Sequence, residues 1–274
     1  MYLNFYGLKE NPFNVTSDPS FLYLSNSHRE ALSHLLYGIK ERKGFLEITG
    51  EVGAGKTTLC KALLNQLDSH TKTSFILNPN LSEIQLLEAI LEDFGLRPER
   101  RAKISFLRQL NSFLLDELRE NCNVVLILDE AQNLKLPALE AVRLLSNLET
   151  DKQKLFQIVL VGQPELRRKL SSPSLVQLRQ RIGVRYHLNP LGKDEIDKYI
   201  GHRLNVAGSP GDINFTDEAL DKIFIYSGGI PRIINIVCDK ALLTGLVLET
   251  KEISADIIVK SIYEIEGKPV EIRV

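Results

Sequence analysis

Between Gly44 and about residue 190, short apolar runs alternate with longer segments whose apolar positions recur every three or four residues. The short runs predict strands at Phe45–Thr49, Thr73–Leu77, Val124–Leu128, Phe156–Val161 and Val184–Leu188. The longer periods predict helices at Lys56–Leu67, around Ser82–Phe94 and Ile104–Leu118, and at Leu136–Leu148. Strands alternating with helices argue for a mainly parallel sheet covered on both faces. From Gly192 onward the strands stop: Lys193–Val206, Thr216–Tyr226, Pro231–Leu248 and Ala255–Ile265 all carry helical spacing, punctuated by Gly208-Ser209-Pro210-Gly211 and Gly228-Gly229. Ahead of the sheet, the aromatic and proline-bearing start reads as an ordered but irregular arm. Ser27 looks like an N-cap with Glu30 as its capping-box partner, opening a helix along Leu32, Leu35, Leu36 and Ile39. The boundaries expected are therefore an α/β domain over 1–190, with an arm at 1–25, and a small all-helical domain over 191–274.

Composition narrows the partners. The 274 residues carry a formal net charge of -1, with 25% charged and 43% hydrophobic residues, close to the globular average. A constitutive nucleic-acid binder usually carries a strong basic excess, which is missing, although a local basic patch stays open. Cys60, Cys122 and Cys238 are scattered without CxxC spacing and the five histidines are dispersed, so a structural zinc site is not expected. No stretch approaches the ~20 apolar residues that cross a bilayer, and the start lacks the basic and apolar regions of a signal peptide. The chain reads as soluble and cytoplasmic.

The strongest chemical signal is Gly50-Glu51-Val52-Gly53-Ala54-Gly55-Lys56-Thr57, followed by Thr58. It comes straight after a strand and opens a helix, as a phosphate-binding loop must. Glycines let successive backbone N–H groups face the phosphates of ATP, and the helix N-terminus adds positive potential. Lys56 would reach the β- and γ-phosphates and the Thr57 hydroxyl would bind Mg²⁺. The second signal is the strand Val124–Leu128 ending in Asp129-Glu130. The carboxyl edge of a parallel sheet is where ligands sit. Asp129 would hold Mg²⁺ and Glu130 would orient the attacking water. A glutamate there suits hydrolysis and argues against a small-molecule kinase, which must keep water away.

Three further positions follow. Strand Phe156–Val161 ends in Gly162-Gln163; the amide either hydrogen-bonds the γ-phosphate or lytic water, or caps the helix from Pro164. Leu178-Arg179-Gln180-Arg181-Ile182-Gly183 precedes the last strand, and from spacing alone its arginines fit a solvated face. Arg232 lies in the first turn of a helix with Pro231 at N1. A cation is unusual at a positive helix end, which points to an anionic partner such as phosphate.

These features in this order resemble an AAA+ ATPase, and more narrowly the ExeA type of general secretion pathway ATPase with its pilus-biogenesis relatives. The matching wording is Met1-Tyr2, Phe5-Tyr6-Gly7-Leu8, Asn11-Pro12-Phe13, Asp18-Pro19-Ser20-Phe21-Leu22-Tyr23, His28, Glu30-Ala31-Leu32 and Tyr37-Gly38-Ile39. It continues through Gly50-Glu51-Val52-Gly53, Leu128-Asp129-Glu130-Ala131-Gln132, Gly162-Gln163-Pro164-Glu165-Leu166 and Gly229-Ile230-Pro231-Arg232. The resemblance implies a five-stranded P-loop α/β domain followed by an α-helical lid. It gives Gln163 the sensor-1 place and Arg232 the sensor-2 place. It makes Arg181, with Arg179 second, the finger acting in trans on a neighbouring subunit, and puts the arm around Pro12-Phe13 and Tyr23 near the adenine. Proteins of this type continue into a transmembrane helix and a periplasmic peptidoglycan-binding part. The sequence ends at Val274 with neither, so a shorter cytoplasmic relative and a piece of a longer protein both stay open, and the peptidoglycan role is not carried over.

The leading expectation is an oligomerising, Mg-dependent ATPase that drives or licenses assembly of an envelope machine, of the type II secretion or type IV pilus kind. Its partner would be a secretion or pilus assembly protein, with possible recruitment to the inner membrane. One alternative is a DNA-associated ATPase resembling transposition target-selection proteins, supported by Arg97, Arg100, Arg101 and Lys103 and by Arg167-Arg168-Lys169. The other is a nucleotide-gated binding switch with little turnover.

Overall fold

The computed structural model describes residues 2–77, 79–150 and 153–267. Met1 of the matched N-terminal wording and residues 268–274 of the expected lid lie outside the described residues. In chain order the elements are α1 (Tyr2–Tyr6), α2 (Asn26–Lys40), β1 (Phe45–Gly50), α3 (Lys56–Leu64), β2 (Thr71–Ile76), α4 (Glu83–Asp93), α5 (Lys103–Arg119), β3 (Asn123–Leu128), α6 (Leu136–Leu145), β4 (Gln157–Gly162), α7 (Pro164–Leu170), α8 (Val176–Arg181) and β5 (Ile182–Leu188). Then come α9 (Lys193–Val206), β6 (Asn214–Phe215), α10 (Asp217–Ser227), α11 (Pro231–Val247), β7 (Glu252–Ile253) and α12 (Ala255–Glu266).

The chain forms two compact units, one of residues 29–50 and 59–188, the other of 1–28, 51–58 and 189–274. The first unit is a five-stranded sheet in the order β2-β3-β4-β1-β5, every pair parallel. The inner strands β1 and β4 are buried at all six positions, and β3 at all but its first. That is why Val124–Leu128 and Phe156–Val161 read as unbroken apolar runs. The edge strands β2 and β5 keep exposed positions. The core on one face gathers Leu86, Leu87, Ile90, Phe106, Leu110, Val142 and Phe156 against the sheet. α4 starts where Ser82 accepts from the Gln85 N–H and Gln85 returns a bond to the Ser82 N–H, a full capping box.

The second unit has its own core, in which Tyr6, Leu8, Phe13 and Phe21 of the arm pack with Ile196, Tyr199, Ile234, Val237, Cys238 and Ile258. The arm thus clusters with the residues after 188 and not with the sheet, because its large apolar side chains complete that helical core. Its first turn is helical, α1, with Tyr6 fully buried and its hydroxyl donating to the Leu242 and Thr250 carbonyls at 3.0 and 3.2 Å.

Two expectations are corrected. Strands do not stop after residue 192: β6 and β7 pair in parallel over Asn214–Phe215 and Glu252–Ile253. Two residues are too short for alternation to register in the sequence. Ser27 is not the N-cap of α2, which starts at Asn26. Ser25 Oγ accepts the His28 N–H at 3.2 Å, Ser27 Oγ accepts from Asn189 N at 3.0 Å, and Glu30 accepts the Tyr186 hydroxyl at 2.9 Å. No helix among the described residues is long and apolar enough to cross a membrane.

Candidate nucleotide site

Strands in a parallel sheet all end at one edge. Gly50 closes β1 and Asp129 follows β3 at that carboxyl edge, as does Gln163 after β4. From Gly50 the chain enters the loop 51–55 and then α3, whose first residues are Lys56 and Thr57.

Each turn of that loop has an identifiable hold. Gly53 and Gly55 take φ of +81° and +93°, values that an L side chain adopts only with strain. A Cβ on Gly53 would lie 2.5 Å from Arg232 Cβ, and one on Gly55 3.0 Å from His28 Nε2. The Gly53 carbonyl accepts the Arg232 N–H at 3.2 Å, so the first turn of α11 is clasped to the loop by backbone. Lys56 is 5% exposed, and its Nζ donates to the Glu51 carbonyl at 2.9 Å. Ala54 is buried, Thr57 and Thr58 are half-buried, and Glu51 and Val52 are exposed. Arg232 is exposed at the helix start predicted for it. Phe13 is 2% exposed in the apolar core of its unit. The Pro12 carbonyl accepts from Arg203 Nε, whose guanidinium also donates to Asn14 O at 2.9 Å and lies over the Phe21 ring.

In the sheet unit the carboxylates form a connected network. Asp129 is 1% exposed and its Oδ1 accepts the Glu130 N–H at 2.8 Å. Glu130 sits at φ +53°, left-handed for a residue with a side chain, a conformation that costs about 1–2 kcal/mol and tends to mark functional turns. Glu130 Oε2 accepts from the Gln163 side-chain amide at 3.1 Å and from the Gln132 amide. Gln132 Oε1 in turn accepts the Gln163 N–H at 3.1 Å. Lys169 Nζ donates to the Gln132 and Leu134 carbonyls, the latter at 2.8 Å, stapling the turn after β3 to α7. The amide of Gln163 therefore reaches the glutamate, while its backbone precedes α7 without a side-chain cap bond. Sequence reasoning missed the roles of Gln132 and Lys169. The cues in the sequence were a polar amide two residues beyond Glu130, inside the matching wording, and the basic run Arg167-Arg168-Lys169.

The arginines lie elsewhere. α8 ends at Arg181 and β5 begins at Ile182, so Arg179 and Arg181 sit at the amino edge of the sheet. Arg181 Nη1 donates to Ser146 Oγ, and the Arg179 carbonyl accepts from Arg185. Inside the sheet, Glu47 of β1 is 2% exposed between Arg185 Nε at 3.4 Å and Arg167 Nε at 3.8 Å. Burial pushes its carboxyl above the usual carboxylate range, and the two guanidiniums pull only partly against that. A raised folded-state value favours the folded chain below the ordinary carboxylate pKa, and that advantage is lost as pH rises through the folded one. Urea midpoints of wild type and Glu47→Gln are therefore expected to move apart with pH. The margin in favour of the Gln variant should widen from pH 5 to pH 8, and a margin flat with pH would contradict it.

The AAA domain family matches residues 39–170. Over 97% of the chain the sequence is 46% identical to general secretion pathway protein A of Aeromonas hydrophila. The chain carries an AAA domain and resembles the ExeA type. It spans about half of that relative, 49% of its length. The chain also shares its fold with solved structures at low identity. The Aeropyrum pernix ORC2 protein in ADPNP-ADP complexes superposes with a TM-score of 0.68 at 20% identity, over 93% of this chain and 72% of that one. Cdc6p from Pyrobaculum aerophilum gives 0.69 at 18%, over 90% and 70%. The Thermotoga maritima RuvB Holliday junction branch migration motor gives 0.59 at 21%, over 87% and 68%. At these identities the likeness concerns the fold alone.

Proposed function

We propose that this chain is an AAA+ ATPase of the ExeA type that binds Mg-ATP on Gly50–Thr57 and hydrolyses it with Asp129 and Glu130, using turnover to drive or license assembly of a bacterial envelope machine. The observation that carries the reading is the carboxylate of Glu130, held by the Gln163 amide at the sheet edge from which the Gly50 loop departs. Glu130 orients and polarises the attacking water, and Gln163 keeps its carboxylate in register. The buried Asp129 carboxylate and the Thr57 hydroxyl are hard oxygen donors that suit Mg²⁺. When bound, Mg²⁺ neutralises charge on the phosphates. Lys56 contributes positive charge beside them, and Arg232 contributes it from the start of α11.

Arg181 belongs to the opposite edge of the sheet from Gly50. Strands of six residues separate the edges by roughly 20 Å, which supports a finger that serves a neighbouring copy and hence a homo-oligomer. The work would fall on a secretion or pilus assembly protein, on the cytoplasmic side and with recruitment to the inner membrane. The DNA reading loses support from the ion pairs of its basic clusters. Arg101 pairs with Glu88 at 3.2 Å, Lys103 with Glu83 and Arg168 with Glu165, while Lys169 is held by carbonyls. Cations already paired contribute less to counterion release on a phosphate backbone.

The test is ATPase rate per chain against protein concentration, for wild type and Arg181→Ala, with and without duplex DNA at low and high salt. The expected result is a rate that climbs with concentration, collapses in Arg181→Ala and ignores DNA. A low rate, independent of concentration and indifferent to Arg181, would favour a nucleotide-gated switch. Stimulation by DNA that fades with salt would favour the DNA reading.

A further inference from the structure

We infer that His28 is a positioning residue for the phosphate loop, aiming the Gly55 N–H by holding the Ala54 carbonyl. The inference rests on reading residues 50–57 as the nucleotide-binding loop. His28 is 3% exposed on the first turn of α2, with Nε2 3.1 Å from the Ala54 carbonyl and Nδ1 2.7 Å from Ser25 Oγ. A carbonyl only accepts, so Nε2 carries the proton. Burial favours the neutral ring, against the weaker opposite pulls of the Ala54 bond and the Glu195 carboxylate. Nδ1 is then the acceptor and the Ser25 hydroxyl donates to it. Ser25 Oγ also accepts the His28 N–H at 3.2 Å, so the serine holds the ring's tautomer and its backbone together.

The consequence for the loop follows from the planar peptide. The Ala54 C=O and the Gly55 N–H belong to one trans unit and point in opposite directions. Fixing the carbonyl against His28 turns the Gly55 N–H away from the imidazole. The neighbouring carbonyls are held in the same manner: Gly53 O by the Arg232 N–H at 3.2 Å, and Glu51 O by Lys56 Nζ at 2.9 Å and by the Ala54 N–H at 3.1 Å. The imidazole also leaves little room for a side chain at Gly55, since a Cβ there would lie 3.0 Å from Nε2. Ala54 is 1% exposed, so water cannot readily replace the histidine as donor. The same Glu195 carboxylate braces the region: it accepts the Asn26 and Gly192 N–H groups at 3.0 and 3.1 Å, tying the start of α2 to the start of α9.

The experiment measures binding of fluorescent ATP and ADP analogues, steady-state kinetics and thermal unfolding on the full chain, for His28→Ala, His28→Gln, Ser25→Ala and Lys56→Ala. His28→Ala is expected to weaken both nucleotides about tenfold, with KM rising by the same factor and kcat little changed. In His28→Gln, whose side-chain amide can still donate to Ala54, most of that affinity should return. Ser25→Ala, which frees the tautomer, should lose affinity in the same direction but less, and this keeps the inference testable if His28→Ala does not fold. Wild-type affinity in His28→Ala, or a Gln variant as impaired as the Ala variant, would overturn the positioning role. Undiminished binding in Lys56→Ala would instead bring down the loop reading itself.

Discussion

Glu130→Gln is expected to lower ATP turnover by about 10²- to 10³-fold while the variant still binds ATP. The substitution keeps the volume of the side chain but removes the charge proposed to polarise water. It also replaces an acceptor-only carboxylate by an amide, in a position where the side-chain amides of both Gln163 and Gln132 donate to Glu130 Oε2. One of those three amides must turn or lose its partner, so the geometry of the turn loosens as well as its charge. Nucleotide affinity should survive, because in the proposed reading the phosphate-facing groups belong to the loop 51–57. Single-turnover hydrolysis and the fraction of ATP retained after rapid gel filtration separate the two effects. Turnover within about threefold of wild type would remove Glu130 from the chemistry and leave the nucleotide-gated switch as the better reading.

The largest loss of stability from a single methyl group is expected at Gly229. Its φ is +75°, and a Cβ there would stand 2.1 Å from the Leu191 carbonyl oxygen and 3.0 Å from its carbon. That close approach is held by the Leu191 N–H, which donates to Gly229 O at 2.9 Å. Backbone strain of about 1–2 kcal/mol adds to an overpacking cost of about 1–3 kcal/mol. At roughly 2–4 °C per kcal/mol, Gly229→Ala should lower Tm by roughly 5–20 °C. Gly228→Ala is the control: its φ of +56° carries similar strain, but nothing lies within 4 Å of the added carbon. Equal shifts in the two variants would mean that the Leu191 backbone yields, contrary to the expectation.

The sheet was legible because its inner strands are buried on both faces and so write continuous apolar runs. Val124–Leu128 shows this most plainly, as does the Asp129-Glu130 pair that ends it. What stayed hidden rests on contacts between residues distant in sequence. Gln132 meets the Gln163 backbone 31 positions away, and His28 meets Ala54 26 positions away. No local spacing announces either bond. The arm was legible as ordered, from its aromatic residues and prolines, but not as part of a particular core. Tyr6 and Phe13 carry no periodicity that says which apolar surface they cover. Ser27 misled for the same reason: serines stand at both 25 and 27, and only the bond that Ser25 Oγ accepts from the His28 N–H tells them apart. Likewise, spacing alone could not distinguish a solvated Arg181 from one anchored to Ser146 at the end of α8.

The cysteines, unremarkable as chemistry, divide the two units between them. Cys60 is fully buried on α3 in the sheet unit and Cys238 fully buried in the helical core, while Cys122 is half-buried. Burial pushes the Cys238 thiol well above its ordinary value, so it holds little reactive thiolate in the folded chain. Each unit therefore carries one sealed sulfur that a water-borne reagent meets only when that unit opens. The order in which the two are alkylated is a built-in clock for which half of the protein gives way first.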